Sequence, residues 1–243
     1  MSQSGIPGMT PMVQRIVIAN SVIWLLQMVG ERAGVNLTAF GEVSVNGFLG
    51  GRIWEPFTYM WLHSTQNILH LLFNMLFLWM IGPQLEMVWG SRRFLRFYLQ
   101  CGIGAGFVIL GWNALCALLW NPYAWYDSTV GASGAIYGVT TAFSLLWPDR
   151  TIMLLIPPIP VRAIWFVPLL LAMDTLLGSR NVSVIGHLGG AVVAAAIMRT
   201  ELRAALNIRS LRYRWHRMRM RRQLRAVRRD EWDKRRNDDQ RRN

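Results

Sequence analysis

Six apolar stretches constrain the fold of this chain more than any other feature of its sequence. The chain is 53% hydrophobic and only 16% charged, whereas a soluble domain of this size has about 25% charged residues. A helix needs about 20 mostly apolar residues to cross a bilayer, so the stretches predict an all-α polytopic membrane protein with six transmembrane helices. They cover residues 12–30, 66–84, 94–119, 132–147, 161–178 and 183–200.

The fourth stretch is the shortest, and Ser133 lies at its start between glycines. A short helix is tolerated in a membrane where its N-terminus is buried in protein or faces a water-filled cavity. We therefore expect a helical bundle with a short, serine-bearing fourth helix. Three closely spaced prolines in the following connector, PDRTIMLLIPPIPVR, exclude a regular helix there. The connector over residues 31–65 is expected to lie partly in the outer membrane interface, where its tryptophans are favoured.

Positive charge is concentrated towards the end of the chain. Residues 1–198 contain nine arginines and seven acids, whereas residues 199–243 contain 17 arginines and lysines and six acids. Arginines also follow the second and fourth stretches, and short cytoplasmic loops are enriched in such residues. We therefore expect a membrane domain over residues 1–200 with both termini in the cytoplasm, followed by a basic cytoplasmic tail over 201–243. Polybasic segments beside a membrane commonly bind anionic lipid, and no nucleic-acid recognition motif accompanies this one.

Four polar residues are predicted to share one depth in the outer part of the membrane: His70, Asn74, Ser133 and His187. Polar side chains within spans are costly and often functional. Each has a structural alternative, because a serine between glycines can simply pack helices, and an asparagine or histidine can join two helices by a hydrogen bond. Their common depth on three helices favours a functional site. Asp174, near the end of the fifth stretch, receives no role from its position.

Glycines predict that the fourth and sixth helices come close together. Two pairs spaced four residues apart adjoin the serine of the fourth stretch and the histidine of the sixth: Gly134/Gly138 and Gly186/Gly190. Small residues at this spacing let helices approach closely in lipid. A serine hydroxyl and an imidazole within hydrogen-bond reach are the minimum for an activated nucleophile. The sequence contains no H-E-x-x-H pattern, so a zinc protease is not expected, and no metal or cofactor is predicted.

Three short blocks carry a resemblance to a known family. HLLFNM at 70–75, preceded by FTYMWLH at 57–63, resembles an H-x-x-x-N signature on a second helix. GASGAIYG at 131–138 resembles a G-x-S-G nucleophile motif, and GHLGG at 186–190 resembles a histidine block on a sixth helix. In this order the blocks resemble the rhomboid intramembrane serine proteases of the bacterial, six-span type. The resemblance covers roughly residues 50–198.

The resemblance implies a Ser–His dyad without a third acid. Ser133 would be the nucleophile and His187 the general base, with the packing of Tyr137, rather than a buried carboxylate, orienting the imidazole. The oxyanion would be held by the Ser133 backbone N–H with the His70 and Asn74 side chains. The glycines that would support the dyad are Gly131 and Gly134.

The function implied is an intramembrane serine endopeptidase that needs no cofactor. It would cleave transmembrane protein substrates near the outer membrane face, as a multi-pass protein of a bacterial inner membrane. The alternative is a catalytically inactive rhomboid-like factor that binds or traffics membrane proteins, but such relatives typically lack the serine or the histidine. A small-solute transporter would show inverted repeats or matched interrupted helices, which the sequence lacks.

Overall fold

The computed structural model describes residues 8–153, 158–177 and 184–205 of the chain. The α-helices among these residues are α1 (Pro11–Arg32), α2 (Leu37–Gly41), α3 (Val45–Leu49), α4 (Glu55–Thr58), α5 (Ile68–Trp89), α6 (Ser91–Leu119), α7 (Ser133–Leu146), α8 (Ala163–Leu177) and α9 (Val184–Ala205). Short 3₁₀ helices cover Tyr59–Trp61 and Pro122–Trp125, and two strands are β1 (Thr151–Met153) and β2 (Pro160–Arg162).

All six predicted apolar stretches form helices, namely α1 and α5 to α9. Helices α1, α5 and α6 are each long and apolar enough to cross a membrane, whereas the apolar parts of α7, α8 and α9 are 10–17 residues long. Large apolar side chains remain exposed on the outward faces of the bundle, including Ile18 and Leu25 on α1 and Leu72 on α5. Exposed apolar surface of this extent is typical of contact with a membrane. The exact number of spans stays a prediction.

Helix α7 lies at the centre of the bundle. Every residue from Gly134 to Ser144 is buried, and the helix packs against α5, α6 and α8. A helix buried on all sides needs no polar face, and its ends need not reach water when protein surrounds them. This burial explains why 14 residues suffice for α7. The predicted short helix is confirmed, and Ser133 is its first residue.

The connector between α7 and α8 contains an element that the sequence did not predict. Strands β1 and β2 pair antiparallel, with Ile152 opposite Val161. Proline lacks an N–H and fixes φ near −65°, which excludes it from helix interiors but permits it at the end of an edge strand. Pro160 accordingly lies opposite Met153 at the end of the ladder. The fold is mostly helical as predicted, and this short hairpin is an addition that the sequence did not indicate. As expected, no regular helix forms among the described residues of the connector.

The connector between α1 and α5 folds around a buried carboxylate. Glu55 Oε2 accepts a hydrogen bond from the Ser44 N–H at 3.0 Å, and its Oε1 lies 2.9 Å from the Arg52 guanidinium. Burial raises the pKa of Glu55, while the Ser44 N–H and the Arg52 charge act in the opposite direction. The connector is also fixed to α6, because the Tyr59 hydroxyl donates to the Gly102 carbonyl at 2.6 Å. It is therefore an ordered part of the bundle, and its predicted membrane depth stays a prediction.

The helical bundle lies in one compact unit, residues 1–197. The second unit, residues 198–243, is described only over the end of α9. Most of the predicted basic tail, residues 206–243, lies outside the described residues.

Candidate active site

The segment that leads into α7 is held by the connector between α1 and α5. Val43 and Thr129 exchange two backbone hydrogen bonds of 3.0 Å. The Gly131 N–H donates to the Tyr59 carbonyl at 2.9 Å. Gly131 has a φ of 133°, which residues with a side chain rarely adopt. These contacts fix the backbone just before Ser133.

Helices α7 and α9 approach each other at their glycines. A Cβ on Gly190 would overlap the carbonyl group of Gly134. A Cβ on Gly138 would lie 3.2 Å from the Gly190 carbonyl oxygen, and a Cβ on Gly134 would lie 3.3 Å from that of Gly186. The predicted close contact between the serine-bearing and histidine-bearing helices is confirmed, and it depends on the missing side chains.

The imidazole of His187 stacks on an aromatic ring of α7. The ring centroids of His187 and Tyr137 are 4.3 Å apart, with an interplanar angle of 12°. Tyr137 lies one turn after Ser133, so the two share a face of the helix. His187 is buried, with 7% of its surface exposed. The stack therefore holds the imidazole beside the face of α7 that carries Ser133.

A carboxylate from α8 completes the surroundings of the imidazole. Asp174 Oδ2 lies 2.7 Å from His187 Nδ1 and accepts a hydrogen bond from the Tyr137 hydroxyl. The expected packing of Tyr137 on the imidazole is present, but the sequence did not predict that a carboxylate would also contact the ring. An ionisable residue inside an apolar stretch was the available signal. The sequence separation of 13 between the aspartate and the histidine concealed the pairing.

The contact at Nδ1 determines what the other ring nitrogen can do. A neutral imidazole that donates from Nδ1 to a carboxylate has an unprotonated Nε2, which can accept the proton of a hydroxyl. The Ser133 hydroxyl itself makes no hydrogen bond within the described part of the chain. Contacts between a nucleophile and its base are often longer in a free enzyme than in its substrate complex. The approach of the Ser133 hydroxyl to His187 Nε2 stays a prediction.

His70 lies next to the backbone at the start of α7. A Cβ on Gly131 would lie 2.8 Å from His70 Nε2 and 3.8 Å from Ser133 Oγ. The Ser64 N–H donates to His70 Nδ1 at 3.4 Å, so the proton of the neutral ring is on Nε2. An N–H donor beside a serine hydroxyl is the type of group that stabilises an oxyanion.

Asn74 lies one turn after His70 on α5 and is buried. Its side-chain amide donates to the His70 carbonyl at 2.9 Å. One of its two amide hydrogens is used in this bond, and the second is available to another acceptor. The contact that the structure describes for Asn74 lies within its own helix, so its approach to Ser133 stays a prediction.

His63 is a buried histidine whose role the sequence did not reveal. Its ring centroid is 5.2 Å from that of His70, in an edge-on arrangement. Neither ring nitrogen has a hydrogen-bond partner among the described residues. Burial, with the nearby His70, lowers the pKa of His63 to about 3. The ring is therefore neutral at physiological pH and packs against His70 as an apolar group.

Comparison with known proteins identifies the family. A model of the Rhomboid domain family matches residues 50–204, which is more than half of the chain and includes every block described above. The chain belongs to the rhomboid family. It is therefore an integral membrane protein with a rhomboid-type helical bundle.

Several curated proteases and related proteins are similar to this rhomboid. The rhomboid protease AarA of Providencia stuartii is 30% identical over 207 residues, which cover 78% of this chain and 72% of AarA. The rhomboid protease GluP of Bacillus subtilis is 33% identical over 137 residues, or 56% of this chain and 24% of GluP. The mitochondrial rhomboid protein 1 of Saccharomyces cerevisiae is 35% identical over 97 residues, or 40% of this chain and 27% of the yeast protein. At the level of the family, this rhomboid is related to intramembrane proteases.

Proposed function

We propose that this rhomboid is a serine endopeptidase that cleaves transmembrane proteins near the outer membrane face. Ser133 is the nucleophile and His187 is its general base. The observation that carries the proposal is the stack of His187 on Tyr137, one turn from Ser133. It brings a buried imidazole to the helix face of a serine whose hydroxyl has no other hydrogen bond within the described residues.

The proposed reaction is an acyl transfer. Ser133 Oγ attacks the scissile carbonyl carbon while its proton moves to His187 Nε2. His187 then gives this proton to the leaving nitrogen as the C–N bond breaks, which releases an amine and leaves an acyl-enzyme. Water attacks the ester in the second half of the reaction, with the same histidine as base and then acid. Serine and histidine are thereby both regenerated.

The negative charge on the carbonyl oxygen needs donors that are already in position. The Ser133 N–H is available, because the first N–H groups of a helix have no partner inside it. His70 supports the proposal through its protonated Nε2 beside Gly131, and Asn74 through its second amide hydrogen. Donors preorganised in this way stabilise the transition state more than the bound substrate. Gly131 and Gly134 support the site by admitting His70 and α9 to the start of α7.

The proposed setting is a bacterial inner membrane. The arginines after α5 and α7, with the basic tail, support cytoplasmic termini and six spans. Helices α5, α7 and α9 then begin on the outer side, so the start of α7 opens towards the outer face. We further propose a membrane domain over residues 1–200 and a cytoplasmic tail over 201–243 that binds anionic lipid. No nucleic acid takes part in this function.

The test is activity of the purified protein in detergent. Wild type should cleave a generic transmembrane substrate, and a fluorophosphonate should label Ser133. Ser133→Ala should remove both activities, and His187→Ala should leave only a low residual rate of each, because a serine without its base is a poor nucleophile. Circular dichroism and thermal melting should show both variants folded. If folded wild type neither cleaves nor labels but binds the transmembrane protein, the chain is an inactive rhomboid-like binding factor. Equal cleavage by wild type and Ser133→Ala would exclude the serine mechanism.

A further inference from the structure

Asp174 contacts His187, yet the proposed Ser–His mechanism gives this carboxylate no role. Its Oδ2 is 2.7 Å from His187 Nδ1, and it also accepts from the Tyr137 hydroxyl. Burial of an ionised carboxylate in a membrane protein is costly unless its oxygens are hydrogen-bonded. The two donors that compensate this carboxylate are the imidazole and the aromatic residue on which the imidazole stacks. Each of the three side chains therefore contacts the other two.

The three side chains come from three different helices of the bundle. Tyr137 is on α7, Asp174 on α8 and His187 on α9. The stack with Tyr137 fixes the plane of the imidazole but leaves the ring free to rotate within that plane. The hydrogen bond to Asp174 removes this freedom, because it requires Nδ1 to face α8. Stack and hydrogen bond together determine where Nε2 lies.

We propose that Asp174 is a positioning residue of the Ser–His pair, which makes the site a Ser–His–Asp arrangement. The inference rests on the proposed function. Asp174 holds the proton of the neutral imidazole on Nδ1, so Nε2 is unprotonated and can take the Ser133 proton. When that proton arrives at Nε2, the carboxylate stabilises the resulting imidazolium. Asp174 stays ionised throughout, and no proton moves to it.

Tyr137 links the two contacts that orient the histidine. Its ring stacks on the imidazole, and its hydroxyl donates to the same carboxylate oxygen that contacts Nδ1. Tyr137 therefore positions His187 directly through the stack and indirectly through Asp174. Tyr137→Phe keeps the ring and removes only the indirect effect, so its turnover should fall less than that of any Asp174 variant that disrupts the hydrogen bond to Nδ1.

The deciding experiment compares three substitutions of Asp174 in the purified, full-length protein. Asn can present its NH₂ group to Nδ1, which forces the imidazole proton onto Nε2. Ala removes the partner without selecting the wrong tautomer, and Glu keeps a carboxylate. We expect kcat to be highest in Asp174→Glu, lower in Asp174→Ala and lowest in Asp174→Asn, with KM nearly unchanged. Asn should lose about 10- to 10³-fold, less than the roughly 10⁴-fold loss in serine proteases with a buried triad aspartate, because 25% of the Asp174 side chain is exposed.

The order of Asn and Ala separates positioning from a structural role. Asn is the closer isostere, so a merely structural carboxylate would make Ala the more damaging change. Labelling of Ser133 by a fluorophosphonate should follow the same order, since it measures the reactivity of the serine without a peptide substrate. Asp127→Asn is the matched control, because that aspartate is exposed and should retain wild-type turnover. If Asp174→Asn does not fold, the test is the Ala variant: a fall in kcat with unchanged thermal melting supports positioning, whereas a lower melting temperature with wild-type kcat overturns it.

A second readout uses the His187→Ala background. A residue that acts through the histidine should have no effect once the histidine is gone, so Asp174→Asn should leave the residual rate of His187→Ala unchanged. A further fall in that rate would overturn the proposal, as would wild-type turnover by Asp174→Asn or a greater loss in Ala than in Asn. These results differ from failure of the proposed function itself, in which wild type would neither cleave nor label.

Discussion

Two carboxylates at opposite ends of the bundle have very different partners. Glu86, near the end of α5, accepts hydrogen bonds from the backbone N–H groups of Met12 at 2.8 Å and Val13 at 2.9 Å. It also accepts one from the Ser91 hydroxyl at 2.6 Å and one from the Thr10 hydroxyl. These donors keep their protons at any accessible pH. Glu86 therefore joins the start of α1 to the start of α6 as a structural contact.

Asp174 contacts groups of another kind. Its partner His187 has a second nitrogen that can gain and lose a proton, and its partner Tyr137 stacks on the same imidazole. Glu86 at one end of the bundle is saturated by fixed donors, whereas Asp174 at the other end contacts an imidazole and the aromatic residue that stacks on it. The comparison indicates that the partners of an acid inside the bundle, rather than the extent of its burial, separate a structural contact from the functional one proposed for Asp174.

The largest effect should come from the donors at the site. His70→Ala and Asn74→Ala should each lower turnover by about 10²–10³-fold, equivalent to about 3–4 kcal/mol, because each removes a donor to the oxyanion. KM should change little, and residual activity should exceed that of Ser133→Ala, which retains the backbone N–H but has no nucleophile. If either variant melts at a lower temperature yet cleaves at the wild-type rate, that residue has only a structural role in joining helices, as Glu86 does. The proposed difference between the two ends of the bundle would then be absent for that residue.

The next effect tests how closely the site depends on the contact between α7 and α9. Gly190→Ala should destabilise the protein by about 3 kcal/mol through overpacking, because the new Cβ would overlap the Gly134 carbonyl group. Displacement of α9 by about 1 Å should also cost about 10²-fold in turnover. Gly111→Ala on α6 is the matched control, since nothing lies within 4 Å of its Cβ position. That variant should be as active as wild type and equally or more stable.

Glu86→Gln sharpens the comparison directly, because it makes the same isosteric change as Asp174→Asn. A neutral amide accepts hydrogen bonds less strongly than a carboxylate and brings an NH₂ group towards existing donors, so we expect a loss of about 2 kcal/mol in stability. Thermal melting in detergent should show the loss, while kcat of the folded protein remains at the wild-type value. A fall in kcat with unchanged melting would show that the two carboxylates do not differ in the way proposed.

The smallest effect is a pH dependence at the site end. His63 binds a proton near pH 6.5 in the unfolded chain but only near pH 3 when buried. The unfolded state therefore binds more protons between these values, and stability is lost as pH falls below 6.5, by about 1.4 kcal/mol per unit. His63→Phe should remove this contribution and change melting little at pH 7.5. If wild type and His63→Phe lose equal stability between pH 7.5 and 5.5, His63 is not the source of the pH dependence.

The sequence predicted the helices because apolar length is a local property. All six stretches became helices, and the glycine pairs correctly indicated where α7 and α9 meet. The hairpin of β1 and β2 escaped prediction because prolines exclude a helix without specifying what replaces it. Glu86 was also missed, since the second stretch was expected to end at residue 84, whereas α5 continues to Trp89. Apolar periodicity locates helix ends only to within a few residues.

The pairing of Asp174 with His187 could not be predicted from the sequence for a different reason. Which face of α8 points at α9 depends on how both helices pack against α7, and no local pattern encodes that rotation. Helix α8 is apolar nearly all round, so it has no polar stripe from which its orientation could be inferred. The proposed dyad followed from motifs, whereas the contact of Asp174 with His187 required the three-dimensional packing.

The four hydrogen bonds of Glu86 have a consequence for the order in which the chain is assembled. Met12 leaves the ribosome 74 residues before Glu86, which corresponds to about 4–15 s at 5–20 residues per second. During that interval the first N–H groups of α1 have no carboxylate to which they can donate a hydrogen bond. Insertion of α1 into the bilayer must therefore be driven by its apolar side chains alone. Its first N–H groups are meanwhile solvated by water or lipid headgroups. The hydrogen bonds at this end of the bundle form only after Glu86, near the end of α5, has been synthesised.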